Sequence, residues 1–142
     1  MIQPIFLDDD IPMLKRMLGP KAEDTYLFRQ LFDTVPTAIS TDAPIVPISP
    51  LQNIYHAVTR KSLKHPTWEA HLPEEGLTIA QAIQGYTEVG AYFMRDDKLG
   101  ALKPGFKADF TVLSDINMND IESFLTAHVA MTVVEGERVY TA

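Results

Sequence analysis

The sequence predicts an α/β chain of two strand–helix units followed by a small β unit. In the first two thirds of the chain, short apolar runs alternate with amphipathic helical patterns, an order typical of parallel βα units. After Gly100 the pattern changes to short strands separated by turns. With 142 residues, of which 46% are hydrophobic, the chain fits one globular domain.

The first unit begins with an apolar run at residues 2–7, which contains Pro4. We predict a strand here, at a sheet edge or a strand end because proline cannot donate to a β ladder. Asp10 is then expected to cap a helix that stops at Gly19. A second helix is expected over residues 22–33.

The second unit contains the most interesting polar residues. Residues 35–42 form a short apolar run with Ser40, Thr41 and Asp42 at its end, which predicts a buried strand with these side chains at its carboxyl end. Residues 44–50 contain three prolines and are expected to form an ordered loop.

Two helix starts carry capping signatures. Ser49 precedes Pro50 and stands three residues before Gln52, and Thr78 stands three residues before Gln81. Each pattern predicts a capping box at the start of an amphipathic helix. The helix after Thr78 is expected to continue to Phe93, although two glycines weaken it.

The C-terminal unit has the pattern of a hairpin. We predict a strand at residues 109–113, a short helix at 120–125, and strands at 129–134 and 138–140, with a turn at 135–137. Two parallel strands do not make a stable open sheet, so the chain is expected to be part of a larger structure.

Composition excludes several function classes. The net charge is −7 and the densest basic stretch, residues 60–65, is short, which argues against nucleic-acid binding. Absence of cysteine excludes disulfides, thiol catalysis and zinc–thiolate sites. No apolar run is long enough to span a membrane. Residues 8–10 are all Asp where a secretory signal would be basic, so we predict a cytoplasmic protein.

Asp42 is the strongest catalytic candidate. A carboxylate at the carboxyl end of a buried strand, followed by a stiff loop, occupies the position where α/β enzymes place ligands and bases. On the residues alone, an Asp before Ala43-Pro44 is more commonly a turn or cap residue. Both interpretations stay open at this point.

The other ionisable clusters are weaker candidates. The aspartates at residues 8–10 resemble an acidic metal cluster, but helix capping and the helix dipole explain them without a ligand. The histidines form neither a His-x-His nor a His-Glu-x-x-His pattern. We therefore expect surface or satisfied polar roles for His56, His65, His71 and His128.

Taken together, six segments resemble a known family. The most specific is residues 100–110, with the pattern Gly-x-Leu-x-Pro-Gly-x-x-Ala-Asp-Phe. The chain resembles the C-terminal part of the amidohydrolase superfamily, in particular the N-substituted formamide deformylases. The segments that carry the resemblance are residues 2–7, 40–45, 50–60, 77–87, 100–110 and 133–140.

The resemblance implies a fold. Family members form a metal-bearing (β/α)₈ barrel with a small flanking β-sandwich. By this resemblance, residues 1–95 are the last two βα units of the barrel, strands seven and eight with their helices, and residues 96–142 are a portion of the β-sandwich. A complete barrel of ~250 residues does not fit in this chain.

The resemblance also implies a function for Asp42. It matches the strand-eight carboxylate that is a metal ligand and general base in hydrolysis of non-peptide carbon–nitrogen bonds, with a divalent metal, zinc in the first instance, as cofactor. A metal lowers the pKa of bound water and a nearby carboxylate accepts its proton. Where the family has Gly-Ser-Asp, this chain has Ser40-Thr41-Asp42.

Strands one to six, with the family's histidines and bridging ligand, are absent. One carboxylate cannot hold a catalytic ion that needs three or more protein ligands, so we expect no metal and no activity in this chain alone. Its open strand edges predict a homodimer or a separately encoded N-terminal barrel part as partner, with a small-molecule amide as the substrate of the whole enzyme. Two alternatives remain: a non-catalytic dimerising or partner-binding module, and a metal-free small-molecule binding module that uses the loop at 44–50.

Overall fold

A computed structural model describes residues 1–142 and contains six α-helices and one antiparallel sheet of three strands. The helices are α1 Leu7–Leu18, α2 Phe28–Thr34, α3 Pro50–Thr59, α4 Ile79–Tyr86, α5 Glu88–Met94 and α6 Ser123–Thr126. The strands are β1 Phe110–Ser114, β2 His128–Val134 and β3 Glu137–Thr141. Short 3₁₀ helices occupy Pro4–Phe6, Gly19–Asp24 and Pro73–Glu75. None of the helices combines the length and the apolar character needed to cross a membrane.

The two predicted parallel strands are reduced to one bridge. Ile2 pairs with Ile39 in parallel; the Ile2 amide donates to the Ala38 carbonyl at 2.9 Å, and the Ser40 amide donates to the Ile2 carbonyl at 3.0 Å. The strand predictions for residues 2–7 and 35–42 are therefore both wrong beyond the bridge. A longer ladder would need further strands beside it, and Pro4 has no amide hydrogen to contribute.

Helix α1 starts earlier than predicted. Its N-cap is Phe6 rather than Asp10, so the three aspartates lie in the first turn. Carboxylates in this turn interact favourably with the positive end of the helix dipole. The capping role assigned to Asp10 is therefore wrong, whereas the dipole interpretation agrees with the structure.

The helix predicted over residues 22–33 is interrupted. A 3₁₀ segment ends at Asp24 and α2 begins at Phe28, because Tyr26 between them has a left-handed backbone with φ 58°. Tyr26 is held there from two sides. Its carbonyl accepts a hydrogen bond from Arg60 at 3.0 Å, and its hydroxyl donates to Asp10 at 2.5 Å.

Both predicted capping signatures start helices. At the start of α3 the Ser49 hydroxyl accepts from the Gln52 amide at 3.4 Å, but the return bond to the Gln52 side chain is not formed, so the predicted capping box is only half present. At Thr78 both bonds of the capping box are present, since Thr78 accepts from the Gln81 amide at 3.1 Å and its own amide donates to Gln81 at 2.9 Å. The helix after Thr78 breaks at Thr87, which separates α4 from α5.

The C-terminal hairpin is confirmed. Strands β1, β2 and β3 pair antiparallel in sequence order, and α6 is shorter than the predicted helix at 120–125.

Phe124 of α6 is 1% exposed and belongs to the same core as the helices of the N-terminal part. The division of the chain at residue 95 stays a prediction. The core consists of Ile2, Leu7, Ile11, Phe28, Ile39, Ile54, Ala57, Leu77, Ala82 and Phe124.

Candidate functional site

Asp42 lies directly after the parallel bridge, at the N-terminal end of α3. It is exposed and has a left-handed backbone with φ 63°, a conformation that Asp tolerates better than most residues. Its carbonyl accepts from the Ile45 amide at 3.0 Å, which closes the turn into the proline-rich loop. Ser40 and Thr41 do not have positive φ. Replacement of the family glycine by Ser40 therefore introduces no left-handed strain.

Asn53 of α3 holds the backbone segment that leads to Asp42. It is fully buried. Its side-chain oxygen accepts from the Ile5 amide at 2.7 Å, and its nitrogen donates to the Ser40 carbonyl at 2.8 Å and to the Tyr86 hydroxyl at 2.6 Å. One side chain thus connects the N-terminal segment, the segment before Asp42 and α4.

The role of Asn53 was not predicted from the sequence. The signal was present: Asn53 precedes Ala57 by one helical turn, so it lies on a face that the apolar pattern marks as buried. A buried amide is kept only when its donors and acceptors are satisfied, which is the case here. Ser40 has a second contact, since its hydroxyl accepts from the Gln3 side chain at 3.1 Å.

Helix α4 covers the other side of the bridge. The Ile39 amide points away from Ile2 and donates to the Gly85 carbonyl at 3.1 Å. The approach is close, because a Cβ atom at Gly85 would lie 2.7 Å from Cγ1 of Ile39. Any larger residue at this position would force a neighbouring side chain or α4 to shift. While α4 stays in place, no further strand can pair at the Ile39 amide.

The opposite end of α3 contains a buried polar network. Asp8 accepts from the Ser62 hydroxyl at 2.7 Å and from the Leu63 amide at 2.8 Å, so it holds the loop that follows α3 against α1. Asp8 also lies 3.4 Å from Nε2 of His56. On its other side, Nδ1 of His56 contacts the Lys61 carbonyl at 2.8 Å.

Burial decides the charge of His56. The imidazole is completely buried, and burial lowers its pKa even though the neighbouring Asp8 carboxylate acts in the opposite direction. The neutral form therefore dominates at neutral pH. In that form Nδ1 donates to the Lys61 carbonyl, and Nε2 has no hydrogen-bond partner.

Arg60 directly follows the last residue of α3 and caps its C-terminal end. It is almost completely buried, with 1% of its surface exposed. It donates through Nε to the His71 carbonyl at 2.9 Å and through one terminal nitrogen to the Tyr26 carbonyl at 3.0 Å. The guanidinium also lies over the Phe28 ring, 4.3 Å from its centroid. Burial lowers the pKa of Arg60 to about 10, so it remains charged at neutral pH. Nη1 has no partner.

The four histidines occupy different environments. His71 is buried, and Nε2 of its ring has no hydrogen-bond partner; burial and the charges of Arg60 and Lys15 lower its pKa. His65 stacks on Trp68 with ring centroids 3.8 Å apart, and His128 is exposed. The expectation of surface or satisfied polar roles is therefore wrong for the unpartnered nitrogens of His56 and His71.

No three His, Cys, Asp or Glu side chains come together in a way that could hold a metal ion. The aspartates of the first turn of α1 bind separate partners instead. Asp8 holds the loop after α3, Asp9 pairs with Lys64 and Asp10 accepts from Tyr26. Asp42 lies apart from all of them, at the other end of α3.

Comparison with known proteins gives a consistent result. A sequence model described as the amidohydrolase family matches residues 1–140. "Protein LONG AFTER FAR-RED 3" of Arabidopsis thaliana is 32% identical over 98% of this chain and 24% of its own length. "Putative amidohydrolase YtcJ" of Bacillus subtilis is 33% identical over 98% of this chain and 27% of its own length. The chain thus spans about a quarter of the length of the curated relatives it matches.

A solved structure is also similar. The uncharacterized metal-dependent hydrolase from Pyrococcus horikoshii OT3 superposes with a TM-score of 0.64 and 29% sequence identity. The match covers 75% of this chain and 22% of that protein.

Proposed function

The chain belongs to the amidohydrolase family, and from this premise we propose that it forms the part of a metal-dependent hydrolase that carries Asp42. The proposed reaction of the whole enzyme is hydrolysis of a non-peptide carbon–nitrogen bond, with an N-substituted formamide as the first substrate class to test. Asp42 would supply the strand-eight carboxylate, as metal ligand and proton acceptor.

The position of Asp42 is the observation that carries this proposal. It follows the parallel bridge between Ile2 and Ile39 at the carboxyl end of the backbone segment, the end where barrel enzymes place their catalytic groups. Asn53 of α3 holds that segment in place by donating a hydrogen bond to the Ser40 carbonyl. The carboxylate is exposed and so remains accessible to groups supplied from outside this chain.

The residues of this chain do not by themselves fit a metal ion. No group of three possible ligands exists, and a catalytic zinc needs three protein ligands with one open position. The proposal therefore requires further ligands from a separately encoded N-terminal barrel part. We expect the isolated chain to be inactive.

A second candidate function is a non-catalytic module that binds a partner. Two observations favour it. Helix α4 covers the Ile39 amide through Gly85, so completing a barrel on that side would require α4 to move. A cleft of about 1010 Å³, lined mostly by apolar side chains, opens between α3, α4 and the sheet, and such surfaces are typical of interaction sites. In this case Asp42 would have no catalytic role.

A chimera distinguishes the two candidates. In it, this chain replaces the matching quarter of the Bacillus subtilis relative, and metal per chain is measured by elemental mass spectrometry together with hydrolysis of N-substituted formamides. We expect bound metal and hydrolysis, both strongly reduced by Asp42→Asn. Asp33→Asn, which changes an exposed carboxylate on α2, is the matched control and should have no effect.

Loss of activity in both variants would indicate a folding defect. Equal metal content and equal activity in the chimera and in Asp42→Asn would contradict the proposed role of Asp42. That result would favour the partner-binding function.

A further inference from the structure

Helix α5 presents an exposed aromatic surface to solvent. Tyr92 is 65% exposed and Phe93 is 48% exposed, and their rings lie edge to face with centroids 5.6 Å apart. Tyr and Phe are enriched at protein interfaces relative to the rest of the surface. We propose that this face of α5 binds a second copy of the chain, with the two α5 helices antiparallel across a two-fold axis.

The charges at the two ends of α5 are the main reason. Glu88 is the first residue of α5, and Arg95 directly follows its last residue. Residues four and three positions apart lie on the same side of a helix, so Glu88 and Arg95 flank Tyr92 along one stripe. The order along this stripe is acid, aromatic, base.

This order is complementary to itself. In a two-fold dimer the same surface of both copies is in contact. Antiparallel pairing places Glu88 of each copy beside Arg95 of the other copy and brings the two Tyr92 rings together near the axis. Parallel pairing would place like charges side by side, which is unfavourable.

Both charged groups have capacity for such a contact. Arg95 is exposed, and none of the ion pairs in the chain involves it. Glu88 accepts from the Gln84 side chain at 3.2 Å and lies 3.8 Å from Nζ of Lys103. A carboxylate has about four acceptor positions, so Glu88 also has room for Arg95 of the second copy.

The size of the surface predicts a weak dimer. Helix α5 has 7 residues, which corresponds to roughly 10 Å of length, whereas stable interfaces bury about 1,200–2,000 Å² in total. The contact therefore belongs to the transient class, and we expect a dissociation constant on the order of 10 μM.

This inference does not rest on the proposed function. Asp42 lies before α3, and none of residues 88–95 lines the apolar cleft between α3, α4 and the sheet. The contact also differs from a homodimer through open strand edges, because the Ile39 amide already donates to the Gly85 carbonyl of α4. Failure of one proposal therefore says nothing about the other.

The test is sedimentation velocity of the full chain at concentrations from about 5 to about 500 μM, which bracket the expected dissociation constant. We expect a reversible change from monomer to dimer over this range. Tyr92→Ala removes the central aromatic contact and should weaken the dimer by about tenfold or more. Because alanine favours the helix, the variant should keep its fold, which circular dichroism checks.

Charge reversals assign the contact to α5. Glu88→Arg and Arg95→Glu should each weaken the dimer by about tenfold, because the two-fold axis creates each like-charge contact twice. The double variant Glu88→Arg/Arg95→Glu exchanges the charges and should bind within about threefold of the unchanged chain. Arg138→Glu, which reverses an exposed charge on β3, is the control and should have no effect.

Glu88→Arg also separates a specific contact from general repulsion. The net charge of each copy is −7, and this variant makes it less negative. General repulsion between copies would therefore decrease, so a weaker dimer must come from loss of the contact with Arg95 of the second copy.

Four results would overturn the proposal. They are a chain that stays monomeric over the whole concentration range, a dimer unaffected by the single charge reversals, a double variant that does not recover, and equal weakening by Arg138→Glu and Glu88→Arg. A monomer would leave the aromatic surface to a different partner. Weakening by Arg138→Glu alone would place the contact at the exposed strand β3.

Discussion

The two ends of α3 differ in how their polar groups are satisfied. At the N-terminal end, Asn53 makes three hydrogen bonds to neighbouring segments, while the functional candidate Asp42 is exposed. At the C-terminal end, Arg60, His56 and His71 are buried and each retains one nitrogen without a partner.

This contrast separates polar groups that solvent can satisfy from polar groups that only the packed protein can satisfy. Asp42 can remain solvated at little cost, so its exposure is compatible both with an unfinished catalytic centre and with no role at all. The buried nitrogens at the other end have no access to water, and their lack of partners is unfavourable. Family resemblance therefore directs attention to one end of α3, whereas the energetic cost of burying polar groups falls at the other.

Removing the Asn53 amide should have the largest effect. Asn53→Ala leaves the Ile5 amide, the Ser40 carbonyl and the Tyr86 hydroxyl without their partner. We expect the free energy of unfolding to fall by about 3 kcal/mol, measured by urea denaturation. Gln52→Ala, the adjacent position on α3, should change it by less than ~0.5 kcal/mol. Equal losses in the two variants would contradict the role assigned to Asn53.

The contact between α4 and the bridge can be tested with a pair of glycines. Gly85→Ala places a Cβ 2.7 Å from Ile39, whereas the nearest atom to a Cβ at Gly90 lies at 3.9 Å. We expect Gly85→Ala to destabilise the chain by about 1–3 kcal/mol through overpacking. Gly90→Ala in α5 should stabilise it by ~0.5–1 kcal/mol. Thermal denaturation of both variants measures the difference. If Gly85→Ala were as stable as the unchanged chain, α4 would have to shift away from the bridge at no energetic cost.

The C-terminal end of α3 should make stability depend on pH. The pKa values of His56 and His71 are lowered below the usual 6.5, so the unfolded chain binds more protons than the folded chain in the interval just below 6.5. Stability should therefore rise with pH through this interval and be lost as the pH falls through it. Burial is the largest cause of both shifts. For His56, Lys64 adds to the lowering of the pKa, whereas Asp8 and the Lys61 backbone oppose it. For His71, Arg60 and Lys15 add to the lowering, whereas the Thr25 backbone and Glu74 oppose it.

Urea midpoints measured from about pH 7.5 down to about pH 5.5 should decrease. His71→Gln should flatten the decrease, and His128→Gln, which changes an exposed ring, should not. A pH-independent midpoint would show that the two buried rings become protonated without resistance in the folded chain.

Substitution of Asp42 should have the smallest effect on the free energy of unfolding. Asn tolerates the left-handed backbone at this position as well as Asp does, and the carboxylate is exposed. Asp42→Asn should therefore change the free energy of unfolding by less than ~0.5 kcal/mol in urea denaturation. A decrease in the free energy of unfolding of more than about 2 kcal/mol would mean that Asp42 is a structural turn residue. The sequence alone left this interpretation open.

Local signals in the sequence predicted much of the fold. The caps at Ser49 and Thr78 and the C-terminal hairpin depend on neighbouring residues, and all three appear in the structure. The strand at residues 2–7 was wrong because a strand depends on distant partners, and here only Ile2 finds one. The break at Tyr26 likewise depends on a contact with Arg60, 34 residues away.

The residues of interest for function also differ in how far the sequence could predict them. Asp42 was proposed from the order of motifs along the chain and stays a prediction; the structure places it three residues after the bridging residue Ile39. The burial of the Arg60 and His71 side chains was not predicted, because it depends on how α1, α2 and the loop after α3 pack together. Spacing in the sequence gives no measure of such packing.

Metal content tests the central claim most directly, namely that this chain does not complete a metal centre by itself. The isolated chain, produced with zinc and iron supplied and purified without chelator, is analysed by elemental mass spectrometry. We predict far less than one metal ion per chain, unchanged by Asp42→Asn. Near-stoichiometric metal that is lost in Asp42→Asn would contradict the account, because the chain would then assemble a metal site from its own residues.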